Sequence, residues 1–287
     1  MATDSKQAEE EFEMTKWGII GVGNMGGMLL ETWINTGAIS ADDIVILNRS
    51  TEKSLKWKNT FPSISVANSI SQIADQADIL FICVRPPHIQ GVCHELQPLL
   101  KTDQVLVSIT SPFSIEDLEA LVPCQVARAI PSITNRAASG ATLLTFGTSL
   151  SNHNKAKLID LTSSYSNPVF IQEDITRVSS DIVSCGPAFF GYLAQRFIDG
   201  AVSETTISKE QATHLTSEML IGLGTLLANG HYTLEELIKK VCVKGGITGE
   251  GISVLEKEMT EVFPQVFQAT HRKYYDEKEV IKKELYK

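Results

Sequence analysis

Positive charge is in short supply. Only 25 Lys and Arg stand against 34 Asp and Glu in the 287 residues, a net charge of −9. Such a surplus of negative charge repels phosphate backbones and anionic lipid surfaces, so neither nucleic acid nor a membrane is expected as a partner. Long apolar runs are missing too, and none approaches the roughly 20 residues that a bilayer span requires. Cysteine is sparse: Cys83, Cys93, Cys124, Cys185 and Cys242 are odd in number and never fall in a Cys-x-x-Cys pair. That usage fits a reducing cytoplasm and excludes a disulfide framework or a structural zinc. The six histidines show no His-x-x-x-His spacing, so no metal is expected. Residues 1–15 carry Asp4, Glu9, Glu10, Glu11 and Glu13 without an apolar stretch or an arginine. They read as a disordered extension, neither a signal peptide nor a transit peptide.

What is present is a globular composition, 43% hydrophobic and 21% charged, with enough length for one or two cores. The most informative stretch is Trp17-Gly18-Ile19-Ile20-Gly21-Val22-Gly23-Asn24-Met25-Gly26-Gly27. A short apolar run ends in Gly-x-Gly-x-x-Gly and passes into a helical pattern carried by Met28, Leu29, Leu30, Trp33 and Ile34. This is the strand, tight turn and helix of a dinucleotide-binding unit. Gly21 permits the turn, Gly23 lets the backbone approach a pyrophosphate, and Gly26 lets helix and strand pack closely. The free N–H groups and positive dipole end of the helix then face the phosphates.

The next apolar run, Ile44 to Leu47, reads as a buried parallel strand that ends at Asn48-Arg49-Ser50. An NAD site places a carboxylate about 20 residues past the glycines, to hold the ribose hydroxyl. Asn48 stands near that position instead. Arg49, helped by Ser50, would grip a 2′-phosphate with charge-assisted bonds, which favours NADP(H). The competing reading of Arg49 is a solvated side chain after a strand. A further strand, Asp78 to Val84, delivers Val84, Arg85 and Pro86 to the edge where open α/β sheets bind ligands. Strand patterns at residues 65–67, 105–110, 125–130, 141–146 and 169–171, with helical patterns between them, complete a doubly wound, Rossmann-type sheet of about 170 residues.

After Asp174 the pattern becomes helical to the end. Phe189, Phe190, Leu193, Phe197 and Ala201 recur at helix spacing on a segment that is also largely apolar elsewhere. Such a helix must be buried, either in a core or against a second subunit. Further helices are expected over 209–228, over 234–241 and after Gly249. A charged helix over 274–287 reads as a solvated face. The expected division is a disordered stretch over 1–15, a Rossmann domain over 16–173, and an all-helical substrate and dimerisation domain over 174–287. Between two of the helices lies Cys242-Val243-Lys244-Gly245-Gly246-Ile247-Thr248-Gly249-Glu250. Its glycines would expose backbone N–H groups to a carboxylate, and Thr248 adds a hydroxyl. A plain interhelical turn is the other reading.

Taken in order, several segments resemble the pyrroline-5-carboxylate reductase family over nearly the whole chain. They are Gly21 to Gly26, Val84-Arg85-Pro86, Arg128 with Gly140-Ala141-Thr142, Gly186-Pro187-Ala188, and Gly245-Gly246 with Thr248. Pro131 to Asn135, Cys185 to Phe190 and Val243 to Thr248 resemble its ComER-type, late-competence branch in particular. The resemblance implies an NADPH-dependent oxidoreductase that delivers hydride to the C=N carbon of 1-pyrroline-5-carboxylate, giving L-proline. It implies a homodimer or a larger ring of dimers. The implied NADP(H) positions are Gly21, Gly23, Asn24, Met25, Gly26, Asn48, Arg49, Ser50, Asn68, Val84, Arg85 and Pro86. Lys244, Gly245, Gly246 and Thr248 fall at the implied imino-acid site, where Thr248 matches a hydroxyl that contacts the imine nitrogen.

Departures fall in the substrate site, where the family's Pro-Asn-Thr-Pro reads Pro131-Ser132-Ile133-Thr134 and its Ser-Gly-Ser-Gly-Pro reads Val183-Ser184-Cys185-Gly186-Pro187. The family's Ser-Pro-Gly-Gly-Thr-Thr reads Val243-Lys244-Gly245-Gly246-Ile247-Thr248, which loses two hydroxyls and gains a charge. Two alternatives therefore stand beside the reductase. One is a competence or sporulation protein that binds NADP(H) with altered or lost catalysis. The other is a β-hydroxyacid dehydrogenase, which needs a lysine on the long helix, and none occurs between Ile182 and Ser208.

Overall fold

In the computed structural model, which describes residues 14–285, the first half of the chain forms one eight-stranded sheet. Its strands are β1 (Trp17–Ile20), β2 (Ile44–Leu47), β3 (Ser65–Val66), β4 (Ile79–Ile82), β5 (Val105–Ser108), β6 (Gln125–Ile130), β7 (Ala141–Phe146) and β8 (Asn167–Phe170). They lie in the order β3-β2-β1-β4-β5-β6-β7-β8. The first six strands in sequence are parallel, β7 runs antiparallel to β6, and β8 is parallel to β7. The ten-residue link from Pro131 to Gly140 explains the reversal, because a parallel return needs a crossover of a dozen residues or more. The doubly wound sheet expected from the sequence thus has two reversed strands at one edge.

Helices α1 (Asn24–Asn35), α2 (Thr51–Thr60), α3 (Ile70–Gln76), α4 (Ile89–Leu96), α5 (Ile115–Leu121) and α6 (Asn152–Ser163) connect the strands. Strands buried on both faces have no polar alternation, and Ile19, Ile46, Phe81 and Val107 enter one core cluster while Ile20, Leu80, Ile82 and Leu106 enter a second. Trp33 of α1 is fully buried and meets Phe81 edge-on, with centroids 4.8 Å apart.

Beyond β8 come α7 (Thr176–Ser180), a π-helical turn over Asp181–Cys185, and α8 (Gly186–Glu204). Pro187 sits in the first turn of α8 and cannot donate to the Val183 carbonyl. The Ser132 hydroxyl donates to that carbonyl instead, at 2.7 Å. α9 (Lys209–Ala228), α10 (Leu234–Val241), α11 (Ile247–Met259) and α12 (Val262–Leu285) follow. The described chain divides into two compact units. One runs to Ser184 and takes in the residues from Asp276 onward, and the other is Cys185–Tyr275.

Three expectations need correction or placement. The helix near the end is longer than the sequence reading, and its tail is not wholly solvated, because Ile281 is 6% exposed within the second core cluster. The helix placed after Gly249 begins at Ile247. The disordered extension over 1–15 lies, apart from residues 14 and 15, outside the described residues.

Candidate functional site

The residues singled out for the cofactor gather at the C-terminal ends of four adjacent strands. Gly21 to Gly26 follow β1, Asn48-Arg49-Ser50 follow β2, Asn68 follows β3, and Val84-Arg85-Pro86 follow β4. β1 lies between β2 and β4, where the strand order changes direction, which is where open α/β sheets form their ligand crevice. Gly21 adopts φ +98°, a left-handed conformation costly for any side chain. A Cβ at Gly26 would overlap the Gly21 carbonyl oxygen and crowd Cys83. Around Gly23, by contrast, nothing stands within 4 Å of where a Cβ would be. Gly23 is also the N-cap of α1 and supplies no side chain to bond the helix's first N–H groups. An exposed helix N-terminus beside an open glycine is a cradle for an anionic group such as a pyrophosphate.

Around this cradle the polar residues divide. Arg49, Arg85, Asn24 and Asn68 are exposed, and the Asn68 N–H donates to Gln72 Oε1 at 2.8 Å. Asn48 is turned inward: its Oδ1 accepts from the Val22 N–H at 3.2 Å and its Nδ2 donates to the Ser50 carbonyl at 3.1 Å.

Continuing along the same edge is a cavity of about 300 Å³, walled by Met25 and Pro86 and by the residues that follow β5 and β6. Ile109, Thr110, Ser111 and Pro112 form one side of it, Ile130, Pro131 and Ile133 another, and Arg177, Ser180 and Ser184 close it from the crossing segment. That segment is pinned to the sheet by Ser184 Oγ, which donates to the Pro131 carbonyl at 2.7 Å, and by the Ser132–Val183 bond. The Arg177 guanidinium donates to Ser111 Oγ at 3.1 Å and to Asp181, a fully buried carboxylate, at 2.8 Å. Beneath them lies Arg128 of β6, fully buried. It donates twice to Glu173, at 2.8 and 2.7 Å, and also to Thr176 Oγ1 and the Phe113 carbonyl.

The sequence points to Met25 and Pro86 for the cofactor and to the Pro131–Thr134 and Val183–Pro187 segments for the substrate, which together supply Met25, Pro86, Pro131, Ile133 and Ser184 of this lining. Thr110 and Ser111 carried a usable signal, since they directly follow a strand end. Arg177 and Ser180 follow no motif by which they could have been found. Burial disfavours the thiolate at Cys83, Cys93 and Cys124, pushing Cys93 and Cys124 up to about 12 and Cys83 higher still.

In the helical unit, Lys244, Gly245 and Gly246 form the turn from α10 to α11, and Thr248 follows in the first turn of α11. Gly245 has φ +75°, Gly246 is the N-cap of α11, and no side chain caps the helix. Thr248 is exposed and stands at the second position of α11. The long helix α8 leaves Phe190, Tyr192 and Phe197 each more than 60% exposed in the single chain. Among the described residues no helix is long and apolar enough to cross a membrane, and no group of three or more His, Cys, Asp or Glu could hold a metal ion.

Comparison with known proteins adds the following. Residues 173–276 match the family model for pyrroline-5-carboxylate reductase dimerisation, and residues 16–112 match that of NADP oxidoreductase, coenzyme F420-dependent. The chain is 50% identical over 271 residues to ComE operon protein 4 of Bacillus subtilis, covering 94% of this chain and 99% of that protein. It is 30% identical over 262 residues to pyrroline-5-carboxylate reductase 3 of the same organism, covering 91% and 96%. Among solved structures it is similar to Plasmodium falciparum pyrroline carboxylate reductase with NADP bound. There the TM-score is 0.79 at 22% identity, covering 93% of this chain and 98% of that one.

Proposed function

The chain belongs to the pyrroline-5-carboxylate reductase family, and on that premise we propose that it is an NADPH-dependent reductase of a small cyclic imino acid, 1-pyrroline-5-carboxylate, yielding proline. The observation that carries the cofactor half is the preformed cradle: Gly23 open, the start of α1 uncapped, and Asn48 in place of a carboxylate at the end of β2. The residues present fit the dinucleotide. Gly21, Gly23, Asn24, Met25 and Gly26 would take its pyrophosphate. Arg49 and Ser50 would take the 2′-phosphate, and Asn68, Val84, Arg85 and Pro86 would flank the nucleotide. When bound, the nicotinamide supplies the hydride. The chain's own task is to bind, orient and protonate. The uncapped start of α11, with Gly245 and Gly246, offers backbone N–H groups to a carboxylate, beside the ammonium of Lys244. The Thr248 hydroxyl is assigned to the imine nitrogen, where it stabilises the amine that forms and relays a proton from water.

The test is oxidation of NADPH by purified protein in the presence of 1-pyrroline-5-carboxylate. Turnover with NADPH, slower with NADH, is expected. Dinucleotide binding without turnover on any cyclic imino acid would favour the second reading, a binding protein that has lost reduction. That reading draws on the altered turn at Val243 and Lys244, where lost hydroxyls would leave substrate groups unpaired. Thr248→Ala is expected to lower kcat at least about tenfold and leave NADPH affinity unchanged. Wild-type turnover in that variant would remove Thr248 from catalysis.

We further propose a homodimer built on the helical unit. Phe190, Tyr192 and Phe197 are exposed on one helix, more apolar surface than a lone subunit keeps in water. Light scattering at micromolar concentration should report at least twice the mass of one chain. A monomer would refute the assignment.

A further inference from the structure

The glycine-rich turn is held from outside by two side chains that no anion contact requires. Val22, 3% exposed, lies between Gly21 and Gly23, and both of its backbone polar groups are engaged by residues from the next strand and helix. Its N–H donates to Asn48 Oδ1 at 3.2 Å, and its carbonyl accepts from Trp57 Nε1 at 3.4 Å. Asn48 is tied in turn to the Ser50 carbonyl at 3.1 Å. The Trp57 ring lies against Gly27 so closely that a Cβ there would strike it at 2.6 Å, and it stacks on Phe61 with an interplanar angle of 3°.

We propose that Asn48 and Trp57 form a clamp on Val22 that preorganises the turn for the pyrophosphate. Both are then positioning residues and neither touches the 2′-phosphate. The inference rests on the reading that this turn takes a dinucleotide. The physical ground is the geometry of Asn48. Its oxygen is spent on a buried N–H that would otherwise go unpaired, and its amide on the carbonyl of Ser50, so the whole side chain serves the backbone. A turn whose φ angles are fixed before binding loses less entropy when the ligand arrives.

The clamp predicts a pattern across two cofactors. NADPH and NADH share the pyrophosphate and differ only in the 2′-phosphate, so loosening the turn weakens both by one factor. In equilibrium titrations of the full chain, Asn48→Ala is expected to weaken both by about tenfold and Trp57→Phe both by about two- to threefold, the range of one lost hydrogen bond. Trp57→Phe keeps a ring against Gly27 and Phe61, so it serves even where Asn48→Ala fails to fold. Asn48→Asp keeps the acceptor for the Val22 N–H, gives up the amide's bond to the Ser50 carbonyl, and adds negative charge at the end of β2. It should hold NADH within about twofold while NADPH affinity falls. In the ligand-free protein, amide exchange at Val22 should quicken in Asn48→Ala and not in Asn48→Asp.

Loss confined to NADPH in Asn48→Ala would make Asn48 a phosphate contact and overturn the clamp. Unchanged affinity for both cofactors in Asn48→Ala and Trp57→Phe would overturn it as well. A wild-type protein that binds neither dinucleotide would overturn the clamp together with the cofactor reading. Binding with the predicted pattern but without imine turnover would leave the clamp standing and remove only the reductase.

Discussion

Replacing Glu173 with alanine is expected to lower stability by about 3 kcal/mol, the lower end of the range for breaking a buried ion pair, which for a domain of this size is roughly 6–12 °C in Tm. The reason is the asymmetry of the pair. The Arg128 side chain is wholly buried in the sheet, while that of Glu173 is 39% exposed. Without Glu173 the guanidinium keeps only neutral partners, the Phe113 carbonyl and the Thr145 and Thr176 hydroxyls. Its Nε already has no hydrogen-bond partner among the described residues.

The reverse change should cost less. Arg128→Met fills the same space with an apolar chain and leaves Glu173 to turn toward solvent, so a loss of about 1–2 kcal/mol is expected. The double variant Arg128→Met with Glu173→Gln should be more stable than Glu173→Ala alone, because no buried charge is left without its counterion. Chemical denaturation of the three variants decides the matter. Equal losses in Glu173→Ala and Arg128→Met would mean that packing, and not the stranded charge, sets the stability of this edge.

How much of this was legible in the sequence depended on the range of the interaction that produces it. The βα unit at Gly21 to Gly26 is a local device in which three glycines satisfy three steric demands within six residues, and the spacing announces it. Helix limits in the second half were legible for the same reason: Ser208 before α9 and Thr233 before α10 each form a capping box with the residue three positions on. The reversal of β7 escaped because an apolar strand carries no direction in its pattern. Only the length of the link before it held the information. Asn48 was placed correctly at a strand end, but its partner, the Val22 N–H, lies 26 residues away and is specified by the sheet alone. The Arg128–Glu173 pair, 45 residues apart, escaped on the same ground. The start of α11 was placed too late because Gly246 and Gly249 are both able to start a helix, and only the backbone decides between them.

Arg49→Ala is expected to weaken NADPH binding by roughly 1.5–3 kcal/mol, about ten- to 150-fold, the usual worth of a hydrogen bond to a charged group. NADH, which lacks the 2′-phosphate, should bind the variant as it binds the wild type. Arg49 is exposed at the first turn beyond β2, so its loss strands no buried group and leaves the fold intact. Selectivity of this kind has two sources that act together. One is the attraction of the guanidinium for a dianionic phosphate, and the other is the absence of repulsion, since Asn48 stands where an NAD site carries a carboxylate. The two can be probed separately: Arg49→Ala removes the attraction, and Asn48→Asp adds the repulsion at the cost of the amide's bond to the Ser50 carbonyl. If both operate, each variant narrows the preference for NADPH, and the pair together reverses it. Attraction through one exposed side chain is screened by salt, so the NADPH advantage should also shrink as ionic strength rises, while NADH affinity changes less. Equal affinity of the wild type for the two cofactors at low salt would end the assignment of Arg49 to the 2′-phosphate, and the arginine would then be a solvated side chain after a strand.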